Sequence, residues 1–396
     1  MNGTDRTRRV IVLNQYAKPR SEGGGTRHTE LFERVRGWEH LIIAGNLDHA
    51  SGQRYRTQDP HFALVPVSAY RGNDHRRVIS CLTYCVTALW EALRGPRPDV
   101  VYASSPHIFG PVAGWLAARL RGARFVLEIR DLWPQSIIDT GHLRAGSLVH
   151  RGLRQLETWL YRRADRIVIV ASGWRSYFQQ RGIDDAIVEW VSNSAEPEDF
   201  DIRQDLIPLR DRCDAHGRLI VYAGAHGPTN GLDLLLDAAA ELPEHTFALI
   251  GDGIEKQRLV HRARAEGLNN VRFLDVLPKR ELAGILGGAD IGVHVLADAA
   301  VFRLGLSPNK LYDYLAAGLP VVTNSPDEPH DIVMECGAGM AVGVGELAAG
   351  IRKLAGLDDA TLREMGRQGR EYIAKYRSRT VMSARLQRVL DEVTGG

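Results

Sequence analysis

A lysine in the opening turn of a helix sits at the wrong end of the helix dipole, and residues 303–322 place one there. Ser307 suits an N-cap and Pro308 the first helical position. Gly318 suits the turn after the last helical residue, and Pro320 blocks continuation. Lys310 then falls beside Asn309 in the first turn, an unfavourable address unless an anion lies nearby. Free amides at the helix start, the charge of Lys310 and close approach at Gly305 together describe a seat for a diphosphate. Asp313, one turn on, is placed to accept hydrogen bonds from ribose hydroxyls. The same residues also fit a solvated lysine on an ordinary helix.

A second group of candidates lies in residues 127–134, where Glu128, Arg130 and Asp131 precede Trp133 and Pro134. Asp131 is suited to orient or deprotonate an acceptor hydroxyl. Arg130 is suited to pair with an anionic leaving group or with Glu128; an internal ion pair supporting a turn is the alternative. His107 follows another strand end, an address it shares with many inert loop histidines. Gly23, Gly24 and Gly25 precede a helix and can present amides to a phosphate or sugar, although their spacing is not the dinucleotide fingerprint. His28, just beyond, reads as a helix-surface histidine. In the second half, residues 224–231, beginning at Gly224, and the Gly251-Asp252-Gly253 turn join strands to helices, with Arg258 inside the following helix. Such loops wrap nucleotides or serve as plain tight turns.

Short apolar runs alternate with helical patterns throughout, which predicts parallel α/β architecture. The expected strands of the first half are 10–13, 41–44, 63–67, 100–104, 125–129, 167–170 and 187–191. Those of the second are 219–223, 247–250, 271–274, 291–295 and 321–323. Residues 199–216 read as a linker between a domain over 1–198 and one over 217–376, with a helical tail. Two doubly wound domains carry their functional loops at the C-terminal ends of their strands.

At 396 residues, with 44% hydrophobic and 25% charged residues, the chain has the composition of an ordinary two-domain globular protein. It lacks an apolar run long enough to span a bilayer and an apolar signal core behind the first residues, so a cytosolic location is expected. The four cysteines and the histidines have no metal-ligand spacing, so no structural metal is expected. Residues 1–198 hold 27 Lys and Arg against 20 Asp and Glu, and the remainder 23 against 28. A basic first half fits a polyanionic partner or an anionic membrane surface, or a drift in arginine content. The stripe Val78, Ile79, Leu82, Cys85, Val86, Leu89 and Leu93, behind Arg76 and Arg77, fits either a core-packing helix or an interfacial one.

Taken together, these residues resemble the GT-B glycosyltransferases of family 4, in particular the bacterial branch that includes fucosamine transferases of O-antigen and capsule synthesis. The likeness is carried by Glu128-Ile129-Arg130-Asp131-Leu132-Trp133-Pro134 and by residues 307–318, with support from the three glycine loops. The resemblance implies a GT-B fold of two Rossmann-like doubly wound domains facing a cleft, with a last helix over 377–396 returning to the first domain. It implies transfer with retention from a UDP-sugar, such as an N-acetylated or deoxy hexosamine, to a lipid-linked sugar or glycan, with no metal or other cofactor, no nucleic-acid partner, and peripheral contact with the inner membrane face. By position, Asp313 matches the second acid of the family's Glu-x7-Glu motif, while Gly305 replaces the first. Asn230 and Ala225 stand where a lysine and an arginine usually grip the diphosphate, leaving Lys310, Arg303 or Arg258 to supply the charge. The amides of Gly24, Gly25, Gly224, Gly251 and Ser307, with Asn309, complete the expected donor contacts, and His107 falls on the acceptor side. These departures also accommodate a non-catalytic sugar-nucleotide-binding subunit or a GT-B epimerase.

Overall fold

The structure, a computed structural model, describes residues 7–22, 27–49, 51–70, 75–135, 138, 143–298 and 305–395. Its contacts divide the chain into two compact units, residues 1–192 with 382–396, and residues 193–381.

The first unit is built on seven parallel strands: β1 (Arg8–Leu13), β2 (Trp38–Gly45), β3 (Phe62–Val65), β4 (Val100–Ser104), β5 (Arg124–Ile129), β6 (Arg166–Ile169) and β7 (Val188–Trp190). Their order is β3-β2-β1-β4-β5-β6-β7, so the winding reverses between β1 and β4. Helices cover both faces of such a sheet, which is why β1 and β4 are apolar on successive residues and Val10 to Leu13 are at most 3% exposed. Residues from Met382 onward belong to this unit. Met382, Leu386, Val389 and Leu390 make one buried stripe at helical spacing. Trp38 Nε1 donates to Asp391 Oδ1 at 2.9 Å, and Arg8 pairs with the same carboxylate at 2.7 Å.

The second unit has six parallel strands: β8 (Leu219–Ala223), β9 (Thr246–Ile250), β10 (Val271–Leu274), β11 (Ile291–His294), β12 (Val321–Thr323) and β13 (Gly339–Ala341). The order β10-β9-β8-β11-β12-β13 reverses between β8 and β11. Val221, Ala223 and Ile250 pack with Tyr312, Tyr314 and Leu315 on one face, and Tyr222, Leu249 and Val293 with Leu235, Leu259 and Ile351 on the other. The helix Asn309–Ala316 buries Leu311 and Leu315 fully, each contributing about 2 kcal/mol. Gly318, at φ 73°, makes the left-handed turn after it, and Leu319 and Pro320 lead into β12.

Three expectations change. Strand β13 is absent from the pattern of apolar runs because its three residues, Gly-Met-Ala, are only half-buried and sit at a sheet edge. Residues 199–216 are not a solvated connector: Phe200, Leu209 and Cys213, at most 3% exposed, are inserted in the second unit's core. The surrounding charges masked these three anchors. Finally, the helix begins at Asn309, with Pro308 (φ −80°, ψ 121°) in the cap position and no side-chain cap, so Ser307 is not its N-cap.

Candidate active site

In the second unit the strand ends on either side of the winding reversal converge on Lys310. Its Nζ donates to Tyr222 Oη at 2.9 Å and to Asn230 Oδ1 at 2.7 Å, and lies 4.5 Å from the centre of the Tyr222 ring. Tyr222 in turn donates to the carbonyl of Ala225 at 2.8 Å, fixing the phenol as the acceptor. No carboxylate among the described residues pairs with Lys310, and burial alone pushes its ammonium down to about 8. Because proline offers neither a side-chain oxygen nor an N–H, the first-turn amides beside this cation carry no side-chain cap.

The glycine loops close around the same point. Gly224 lies against Lys310 so tightly that a β-carbon there would be 3.3 Å from Lys310 Cε. Gly251, at φ 147°, lets the β9 loop ride over Gly224; a β-carbon would fall 2.0 Å from its carbonyl oxygen. The loops are held together by Gly224 N donating to Ile250 O at 2.9 Å and His226 N to Asp252 O at 2.8 Å. His226 and His294 are fully buried here. Neither ring nitrogen of His226, nor Nε2 of His294, has a hydrogen-bond partner among the described residues. Burial, then Lys256, hold His226 down at about 4 against the pull of Asp252, with Lys310 adding a smaller push in the same direction as Lys256. Burial and Lys310 place His294 well below the usual histidine range. Among the described residues, the groups that bond the ammonium are therefore neutral.

Asp313 and Lys310 line one recess together with Ala223, Lys279 and Tyr314. Ser307 does not face it through its hydroxyl, which accepts from Asn193 N at 3.0 Å and meets Tyr312 Oη at 3.1 Å. Asn309 is exposed at the helix start. Arg258 is paired on the surface: its guanidinium bonds both Asp233 oxygens at 2.9 and 2.6 Å and Glu255 at 2.6 Å. Gly24, Gly25 and Arg303 lie outside the described residues.

The first unit's strand ends are organised around Glu128, fully buried in β5. It accepts from Arg27 Nε at 2.7 Å, His28 Nε2 at 2.6 Å and Tyr102 Oη at 2.8 Å. Burial raises that carboxyl, but His28 and Arg27 outweigh it and hold it well below the ordinary range. His28 is thus an interior residue, 1% exposed, and not the surface histidine expected. A glutamate inside the apolar run 125–129 was the available signal, because a buried carboxylate requires partners.

His107 is likewise closed off. Gly110 N donates to Nδ1 at 3.2 Å, so Nε2 carries the proton and donates to Gln15 Oε1 at 2.7 Å. Burial, then Arg77, push this imidazole down to about 3. His107 is 1% exposed and ties the β1 and β4 loops together through Gln15. Asp131 keeps open solvent-facing area yet is crowded by protein. That crowding raises its carboxyl, against the pull of Arg130 and Arg77. The backbone N–H of Arg130 donates to Ser105 Oγ at 3.3 Å. Tyr16 and Arg77, which the motif reading missed, stand in the same group of loops, the guanidinium 6.0 Å from the ring centre.

Two successive α/β units with reversing parallel sheets and strand-end loops define the GT-B class. Family models agree: the glycosyl transferase 4-like domain matches residues 23–194, and the glycosyl transferases group 1 domain matches 217–356. The chain belongs to the GT-B glycosyltransferases of family 4. It is 27% identical over 252 residues to the probable glycosyltransferase WbjE of Pseudomonas aeruginosa, a match covering 62% of each chain. It is 26% identical over 296 residues to the putative colanic acid biosynthesis glycosyl transferase WcaI of Escherichia coli, covering 70% of this chain and 72% of that one. Among solved structures, HepE of Anabaena in complex with UDP superposes with a TM-score of 0.73 at 16% identity, covering 97% of this chain and all of the other. Sucrose-phosphate synthase of Thermosynechococcus elongatus gives 0.75 at 14% identity, covering 98% and 99%.

Proposed function

We propose that this enzyme transfers a sugar, an N-acetylated or deoxy hexosamine, from a UDP-sugar to a lipid-linked or glycan acceptor in cell-surface polysaccharide synthesis, with retention at the anomeric carbon. The observation that carries the donor half is the lone ammonium of Lys310 among neutral partners at an uncapped helix start. A diphosphate supplies the missing counter-charge, and a leaving diphosphate needs that charge most in the transition state. Asp313, on the same recess, takes the ribose hydroxyls. HepE, solved with UDP, and the polysaccharide-related name of WcaI support the choice of donor and pathway type.

On the acceptor side Asp131 orients the attacking hydroxyl, and Arg130 and Arg77 shape the field around it. In a front-face departure the leaving phosphate takes the acceptor proton, so no strong protein base is required. Lys310 and the neighbouring amides stabilise the departing charge.

A thermal-shift screen of nucleotides and nucleotide sugars tests the donor. UDP-hexosamines should raise the Tm by mass action, UDP alone somewhat less, and GDP and ADP compounds little. Proton NMR of the product formed with the best donor should show the donor's anomeric configuration preserved. Stabilisation by another base, or an inverted product, rejects the corresponding half of the reading.

A further inference from the structure

The segment that follows β5 leaves a slot beside Asp131. Its volume is about 20 Å³, room for one group of the size of a water or a methyl. Ile108, Pro111, Leu127, Ile129 and Leu160, all buried, form its sides, and the surface it presents is almost wholly apolar. Of the residues that line it, Asp131 and Trp133 are the two that keep solvent-facing area. The slot therefore opens where the attacking hydroxyl of the acceptor is held in the proposed reaction.

One buried acid, Glu157, also lines the slot, yet its oxygens are engaged elsewhere. Oε1 accepts from Tyr161 Oη at 2.7 Å and from Tyr177 Oη at 2.9 Å, and Oε2 meets the Tyr177 hydroxyl at 3.2 Å. Burial lifts this carboxyl to about 7, against the hydrogen bond from Tyr161 and the charge of Arg181. A buried water asks for roughly two to four polar partners, which an apolar wall does not offer. A methyl group asks for none and gains by leaving water.

We propose that this slot seats a single methyl group of the acceptor sugar, so that the acceptor is a methyl-bearing sugar, 6-deoxy or N-acetylated. Asp131 belongs to the same slot, so the reacting hydroxyl and the methyl-bearing substituent sit on neighbouring ring carbons. A 6-deoxy sugar then reacts at its 4-hydroxyl and a 2-acetamido sugar at its 3-hydroxyl. The inference rests on the reading of Asp131 as the group that orients the acceptor; the donor half of the proposed function does not enter it.

Competition between soluble octyl glycosides tests this, in matched pairs that differ in one feature: 6-deoxy against 6-hydroxy, and 2-acetamido against 2-hydroxy. The methyl-bearing member of one pair should be favoured about tenfold or more in kcat/KM, the scale of one methyl in an apolar pocket, and that pair identifies where the methyl comes from. Ile108→Phe fills the slot and should bring the ratio to about one. Leu160→Ala enlarges it and should move the preference toward the next longer homologue, such as N-propionyl over N-acetyl. A ratio of two acceptors on one preparation does not depend on how much of the variant is folded. Saturation-transfer NMR on the UDP-loaded protein reads seating without turnover, and the methyl protons should give the strongest signal of the bound glycoside. Equal use of both members of each pair by the wild type overturns the inference, as does a preference that Ile108→Phe leaves intact; the role of Asp131 survives either result. A wild-type rate in Asp131→Asn overturns that role instead, and the inference with it.

Discussion

The two sheets share a parallel, reversing strand order, yet their strand ends treat charge in opposite ways. In the first unit Glu128 is matched by Arg27, His28 and Tyr102 inside the protein. In the second, the acceptors that Lys310 has among the described residues are a neutral hydroxyl and a neutral amide. A charge that the fold balances itself serves the fold. A half-buried charge held in place but left unbalanced is available to a ligand. Charged residues near strand ends cannot be sorted into these two kinds by sequence position alone; their partners decide.

Breaking the balanced charge should have the largest effect. Glu128→Gln keeps the shape and one acceptor oxygen but leaves Arg27 in the interior without its counter-ion. Removing one member of a buried pair costs about 3–5 kcal/mol. Chemical denaturation should register that loss in the unfolding of the first unit, with the UDP-induced shift of the second preserved. A variant as stable as the parent would move Glu128 out of the structural class.

Removing the unbalanced charge should do the reverse. Lys310→Ala takes away a cation that burial disfavours, so the ligand-free protein should be as stable as the parent or slightly more so. Transfer should fall about a hundredfold or more in kcat/KM, the scale of a lost anion-stabilising group. Steady-state kinetics alongside denaturation reads both quantities. Lost stability with normal turnover would place Lys310 with Glu128 instead.

The alternation of apolar runs made most of the architecture legible, since a strand covered on both faces leaves an unmistakable pattern at Val100–Ser104 or Leu219–Ala223. The turn at Gly318 and the helix carrying Lys310 were legible for an equally local reason, a positive-φ glycine before a proline. Pairing across distance was not. Nothing local joins Glu128 to residues about a hundred positions earlier, or sends Arg258 to Asp233. Periodicity also finds a stripe without saying which side faces water. The stripe of residues 78–90 fits a core helix until Ala88 and Ala92 are seen to occupy the inner face.

The finest distinction between the two kinds of charge is how a ligand changes the titration. Ligand-free Lys310 is held down at about 8, so it is mostly charged at pH 7 and mostly neutral at pH 9. Its unfolded counterpart titrates near 10.4, so between these values the unfolded chain binds more protons. This residue's own contribution to stability therefore rises with pH across that window. A bound diphosphate favours the ammonium and reverses the preference. UDP should then bind with proton uptake near pH 8, and its affinity should drop about tenfold from pH 7 to pH 9. Titration calorimetry in buffers of different ionisation enthalpy measures the proton count directly. Lys310→Arg, whose charge persists throughout, should remove the uptake and flatten the profile wherever it still binds. Equal uptake in the arginine variant would assign the proton to another group and dissolve the contrast at its most sensitive point.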